Sequence, residues 1–296
     1  MKQNWKQALR FALYWLPAGL AAGFFTTRSL LPSLPPEQLS QLGGETGYTV
    51  IGMVQIGLYA LLAGFIGFLL SQRLGLMRPL RLERRRLLSG ILWGAACGVI
   101  LSLDKWTFAR WIPALRGSYE SASRFDLVSW LTAVLYGGVV EELLLRLLVM
   151  SLIAFLGWKL FFRSHTRVPI CVLIAANVLS ALLFAAGHLP ATQLQFGQLT
   201  PLLLLRCFLM NGAFGLVFGS LYRRHGIQYA MIAHALAHIV SRTIWLLRKR
   251  IPRSRRFAGF SFIRFPGLWP RSRGSGRSRL PGRSAGTPGP VPAPPC

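Results

Sequence analysis

Val139-Val140-Glu141-Glu142-Leu143-Leu144-Leu145-Arg146 places two adjacent carboxylates and a guanidinium inside an otherwise apolar run. From Leu127 to Phe162 the only other charge is Lys159. A charged side chain at bilayer depth costs about 2.5–3.5 kcal/mol on insertion scales, so an apolar helix that keeps two carboxylates four residues from an arginine uses them. The same apolar density recurs along the chain. Of 296 residues, 53% are hydrophobic and only eight are acidic, and the mean hydropathy is +0.45. That composition fits neither a soluble enzyme nor a disordered protein, and it reads as an all-α, polytopic transmembrane helix bundle.

A helix needs roughly 20 apolar residues to cross a bilayer. On that measure the expected spans are 11–26, 49–70, 88–103, 139–158, 168–188, 200–221 and 226–246, about seven in all. The run 127–162 is too long for one crossing, and Gly137-Gly138 is the expected break, leaving a short interfacial or re-entrant piece at 127–136 before the fourth span. Non-helical backbone at that depth is tolerated only against protein or a water-filled cavity.

The net charge of +26 resembles a nucleic-acid signature until it is mapped, since twelve of the 34 basic residues lie in the last 49 positions. Most of the rest flank the apolar runs, so no nucleic-acid partner is expected. Arg73, Arg78, Arg81, Arg84, Arg85 and Arg86 follow the second span, Lys159, Arg163 and Arg167 the fourth, and Arg223 and Arg224 the sixth. The positive-inside rule makes these loops and the N-terminus cytoplasmic, with the 189–199 loop outside. Lys2, Lys6 and Arg10 ahead of an apolar run have the charge order of a secretory signal. The further spans favour a retained first helix. The chain thus divides into N-terminal spans and loops (1–126), a helix bundle that carries the chemistry (127–247), and a basic Pro/Gly/Ser/Arg-rich tail expected to be disordered (248–296). An odd number of spans puts that tail outside, against the charge rule, which an eighth span lost or replaced would explain. Cys97, Cys171, Cys207 and Cys296 show no Cys-x-x-Cys spacing and indicate neither a disulfide framework nor a cysteine metal site.

Residues four apart share a helix face, which pairs Glu142 with Arg146, Phe184 with His188 and His234 with His238. An ion pair between Glu142 and Arg146 leaves Glu141, about 100° around the helix, in need of an electropositive partner from another helix. His188 stands just before Pro190, which stops its helix. His234 and His238 repeat the i, i+4 geometry with which helices present two nitrogens to one metal. Depth bookkeeping at about 1.5 Å per residue allows Glu141, His188, His234 and His238 to meet in the outer half of the bilayer. Carboxylates and imidazoles in apolar surroundings suit hydrolysis. A metal held by His nitrogens and a carboxylate, with Zn²⁺ the expected ion, would acidify bound water while another carboxylate carries the proton. Ser151 and Ser180 have no base at a motif spacing, so a serine mechanism finds no support.

Taken together, EExxxR at Glu141-Glu142 and Arg146, FxxxH at Phe184 and His188, and the His234 motif on a later span resemble the three motifs of the CPBP family of intramembrane endopeptidases. That family includes the type 2 CAAX prenyl proteases and bacteriocin-processing or self-immunity proteins. The resemblance covers about residues 127–240. It implies peptide-bond hydrolysis inside a helical membrane bundle, acting on a peptide or membrane-proximal protein segment. It assigns the first-motif glutamate to water activation or metal binding, and His188 and His234 to metal or transition-state binding. Metal-dependent and glutamate-only chemistry both remain open. The third motif usually ends in Asn or Asp, where this chain has His238. A histidine there can bind metal or donate to an oxyanion, and it can equally mark a non-catalytic member acting in immunity or as a scaffold. A proton-coupled transporter is allowed by intramembrane acids, but the chain lacks inverted-repeat signals.

Overall fold

The computed structural model describes residues 4–122 and 124–250, leaving aside the side chains of 120–122 and 248–250. The expected basic tail lies outside the described residues from 251 onward. The described residues fall within a single compact unit, Met1–Pro252, and contain helices and no strand. Helix is the expected solution in lipid, where each backbone polar group must find its partner within its own segment. Among the described residues, six helices are long and apolar enough to cross a membrane: Trp5–Ser33, Gly44–Arg73, Arg84–Trp111, Ile170–Phe196, Pro201–His225 and Ile227–Leu247. The chain is therefore a multi-pass membrane protein.

Seven long helical runs organise the bundle, labelled here α1 (Trp5–Leu30), α2 (Gly44–Arg73), α3 (Arg84–Leu103), α4 (127–161), α5 (Ile170–Gly187), α6 (Pro201–His225) and α7 (Ile227–Arg250). Helices α1 and α2 lie side by side over small residues. A Cβ on Gly23 would come 2.5 Å from Met53 Cα, and one on Gly19 would come 2.6 Å from Ala60 Cβ. Close backbone approach is what drives helix pairing where lipid is as apolar as the side chains. Helix α3 packs along α7, and α4 occupies the middle, against α1, α2, α5, α6 and α7.

Helix α4 corrects one expectation. It is the fourth expected span, and it does not break at Gly137-Gly138. Helical backbone continues from Leu127 to Phe161, widened into π-helical stretches over Ala133–Val140 and Leu143–Met150, with Glu141 and Glu142 between them. The glycines serve contact instead. A Cβ on Gly138 would lie 2.7 Å from Ala235 Cβ on α7, and one on Gly137 would lie 2.8 Å from His238 Nε2. Residues 127–136 are the first turns of this one helix, not a separate piece. The helix starts at Asp126, whose carboxylate accepts from the Val128 and Ser129 backbone N–H groups. Hydrogen bonds from the Ser129 hydroxyl and from these amides hold the Asp126 carboxyl below the usual range.

A buried ion pair locks one end of the bundle. Arg206 of α6 donates from Nε (2.8 Å) and Nη2 (2.5 Å) to Oδ2 of Asp104, which has no solvent exposure. Tyr119, on the short helix Ala114–Ala122, donates its hydroxyl to the same oxygen. Its ring packs on Trp245 of α7 at 5.2 Å, and Trp245 Nε1 donates to the Ser102 carbonyl at 3.0 Å. One carboxylate oxygen thus joins α6 and the Ala114–Ala122 helix to the C-terminal end of α3.

Candidate active site

The central position of α4 decides which of its polar side chains leave water. Glu142 and Arg146 have no exposed side-chain surface, and Glu142 Oε2 lies 3.4 Å from Arg146 Nε. Arg146 Nη1 donates to Ser180 Oγ at 3.1 Å, and the Ser180 hydroxyl in turn donates to the Leu145 carbonyl at 2.7 Å. The guanidinium also lies 5.0 Å from the centre of the Phe184 ring. Contact with a ring face suits the weakly hydrated guanidinium. An ammonium could not reproduce this fork and stack.

The other oxygen of Glu142, Oε1, accepts from His234 Nδ1 at 2.9 Å. Because that carboxylate already faces Arg146, Nδ1 carries the proton, and Nε2 is left for the cavity. The His234 ring stacks on Phe218 (4.5 Å) and on His238 (5.0 Å), and meets the edge of Phe184 at 5.9 Å. Packing on several sides sets the ring plane, and the Glu142 bond sets its rotation.

His188 is set in a comparable way by its own helix. Helix α5 ends at Gly187 and a short helix, Leu189–Phe196, begins just before Pro190, so His188 caps the junction. Its Nδ1 donates to the Phe184 carbonyl at 2.8 Å, and its ring meets Phe184 edge-on at 4.7 Å. A carbonyl can only accept, which places the proton on Nδ1 and frees Nε2.

Both free nitrogens face Glu141. Its Oε1 lies 4.0 Å from His188 Nε2 and its Oε2 lies 3.9 Å from His234 Nε2. The electropositive partner expected from another helix is thus supplied twice, by α5 and α7. His238 completes the group, since a Cβ on Gly137 would meet both His238 Nε2 (2.8 Å) and His234 Nε2 (3.7 Å). Gly137 therefore holds open the space that these two nitrogens face. A cavity of about 350 Å³ opens on Glu141, His188, His234 and His238, with Arg206 and Arg242 on its wall.

All the motif residues singled out in the sequence come together here. His165 is exposed, and His225 is partly buried at the end of α6, away from this cavity. The sequence reading missed Phe218, Ser180, Gly137 and the two arginines. An aromatic or a serine in an apolar span carries no local signal, whereas Arg242 follows His234 and His238 at the same four-residue interval and could have been read.

The donor set suits zinc by chemistry, but its spacing does not close around an ion. Tetrahedral bonds of about 2.0–2.1 Å bring ligand atoms to about 3.4 Å from one another. The Glu141 oxygens and imidazole nitrogens are 3.9 and 4.0 Å apart. Among the described residues no group of three or more His, Cys, Asp or Glu side chains is placed to hold a metal. A water fits these gaps better. Hydrogen bonds of about 2.8 Å from one water to both atoms would subtend about 90° at its oxygen.

Residues 123–240 match the family described as Type II CAAX prenyl endopeptidase Rce1-like. The match spans α4 to most of α7 and contains all three motifs, in agreement with the resemblance to the CPBP endopeptidases. The matched segment is thus similar to a family of membrane proteases. No curated protein and no solved structure matches the chain at a significant level.

Proposed function

We propose that the chain is an intramembrane endopeptidase in which Glu141 activates a water for attack on a peptide carbonyl. The observation that carries this reading is the placement of the Glu141 oxygens 4.0 and 3.9 Å from the Nε2 atoms of His188 and His234, where one water beside each pair reaches both atoms. Glu141 takes a proton from the water as the oxygen bonds to the carbonyl carbon. The oxyanion of the tetrahedral intermediate forms in the space that His234 and His238 line, with the His234 ring held in place by the Glu142 carboxylate on Nδ1. His238, stacked on His234, offers a donor at the position where the family has Asn or Asp. Glu141 then returns the proton to the leaving amine, and the C–N bond breaks. Arg146 and Ser180 hold Glu142 and touch no reacting atom.

For the substrate class we take the matched family's description, a CAAX prenyl endopeptidase. A prenylated C-terminal segment could present its peptide to the cavity while its lipid stays in the bilayer. The guanidinium of Arg242 on the cavity wall suits the free carboxylate of such a C-terminus. The test is cleavage of a prenylated CAAX-type peptide by the full chain in liposomes, with metal content measured on the same preparation. Wild-type protein should cleave it, and His188→Ala and His234→Ala should not. Zinc bound in proportion to activity, and lost in both variants, would move the mechanism to a metal-bound water. Cleavage that persists in Glu141→Gln would remove the assignment of the base.

The non-catalytic alternative rests on His238. A preparation that folds, inserts and cleaves nothing, and gains activity in His238→Asn, would favour it.

A further inference from the structure

A second cavity, away from the carboxylates, lies at the basic edge of the bundle. It has a volume of about 690 Å³, and its wall comes from three segments: the start of α1 (Asn4, Gln7, Arg10, Phe11), the end of α2 (Phe68, Gln72) and the loop Met77–Leu80 with Arg78. No acidic residue lines it. Among the described residues, neither Arg10 nor Arg78 has a carboxylate within 4.0 Å. Arg78 Nε is buried and without a hydrogen-bond partner, which a protein tolerates poorly unless something else accepts from it. The floor is apolar, formed by the Phe11 and Phe68 rings with centres 5.2 Å apart. Gln7 and Gln72 meet at the rim, 3.4 Å apart.

The loop that carries Arg78 is built in. The Leu76 and Met77 N–H groups both donate to the Ser71 carbonyl, at 2.9 and 3.2 Å. Gln228 Nε2 on α7 donates to the Pro79 carbonyl at 3.0 Å, and the Tyr229 hydroxyl donates to the Arg81 carbonyl at 2.9 Å. Arg78 is thus presented from a pinned loop.

Two guanidiniums without protein counter-charges above an apolar floor, at the edge of a membrane bundle, match one ligand chemistry: a phosphate joined to an apolar body. We infer that this cavity binds the headgroup of an anionic phospholipid, with Arg10 and Arg78 on the phosphate and Phe11 and Phe68 under the glycerol and first acyl carbons. If the basic loops are cytoplasmic, as expected from their charge, this is the leaflet in which anionic lipids meet the protein.

The test uses the full chain in neutral detergent, with thermal unfolding followed as dihexanoyl phosphatidylglycerol, dihexanoyl phosphatidylcholine or inorganic phosphate is added. The phosphatidylglycerol should raise the unfolding temperature saturably, and the other two should not. The Arg10→Gln/Arg78→Gln variant should bind it roughly tenfold more weakly or worse, as loss of two charge-assisted contacts implies. Arg84→Gln/Arg85→Gln removes the same charge from exposed positions outside the cavity and should bind as wild type. Should the double variant fail to fold, Arg10→Gln alone, changed at an exposed position, must still weaken binding. Equal response to phosphatidylcholine would overturn the proposal, as would equal loss in both double variants, which would mean diffuse attraction. A full response to inorganic phosphate would make the site one for free phosphate and sink the lipid assignment.

Discussion

Two buried charge clusters in this bundle are built in opposite ways. Around Asp104, a single carboxylate oxygen receives two guanidinium nitrogens at 2.5 and 2.8 Å and a tyrosine hydroxyl. Around Glu142, the guanidinium stands off at 3.4 Å, and Glu142 Oε2, Arg146 Nε and Arg146 Nη2 make no hydrogen bond. Glu141 is looser still, with both imidazoles at or near 4 Å. The tight cluster joins elements. The loose one leaves room between its groups, and buried polar groups left partly unsatisfied call for a functional explanation. Contact quality therefore separates a brace from a site where the mere presence of buried charge does not.

Five substitutions and one titration can break or sharpen that contrast. The largest effect is expected for Glu141→Gln, which keeps the shape and removes the base. Peptide cleavage should fall by about 10²–10⁴-fold, the usual contribution of a general base, with thermal unfolding unchanged. A large loss of stability instead would make Glu141 part of a brace. Asp104→Ala should do the reverse. Leaving Arg206 buried without its partner should destabilise the fold by about 3–5 kcal/mol, while protein that remains folded keeps its turnover number. Collapse of turnover in the folded fraction would erase the distinction between the clusters.

Gly137→Ala probes the space itself. A methyl there meets two imidazole nitrogens, and a misplacement of this order costs on the order of 10²-fold in rate. Wild-type activity in this variant would show that the gap is not needed. His238→Asn, which restores the usual residue of the third motif, should hold cleavage within about tenfold, corresponding to about 1.4 kcal/mol. A loss as deep as that of Glu141→Gln would make His238 indispensable.

The smallest effect belongs to the cap of α4. Asp126→Ala should cost about 1 kcal/mol. Because the folded-state pKa of Asp126 is lowered, its contribution is present above the unfolded-state pKa and fades as pH falls through the folded-state value. Acid titration of unfolding in wild type and variant should therefore converge at low pH. A constant difference down to pH 2 would show that the carboxylate charge plays no part in the cap.

Much of this was legible because it is local. Hydropathy runs gave the long helices, as a helix in lipid satisfies its backbone within the segment. Four-residue spacing gave Glu142 with Arg146 and Phe184 with His188, since side chains one turn apart meet whatever surrounds them. The reading of Gly137-Gly138 shows where local inference ends. By propensity a glycine pair breaks a helix, but the surfaces of Ala235 and His238, nearly 100 positions away, decide that it stays helical and lets α7 approach.

By itself the sequence determined that this chain is helical and crosses a membrane several times, and it singled out Glu141, Glu142, Arg146, His188 and His234 as candidates for one site, because apolar length and charge in an apolar run act over one helix. Only the tertiary structure decided which carboxylate is buried against Arg146 and His234 and which faces the cavity. Glu142 meets Arg146 and His234 at 3.4 and 2.9 Å, while Glu141 stands about 4 Å from two imidazoles. Two adjacent glutamates are chemically identical in sequence. They differ through the helices that close around each one, and that enclosure is a property of the packed bundle.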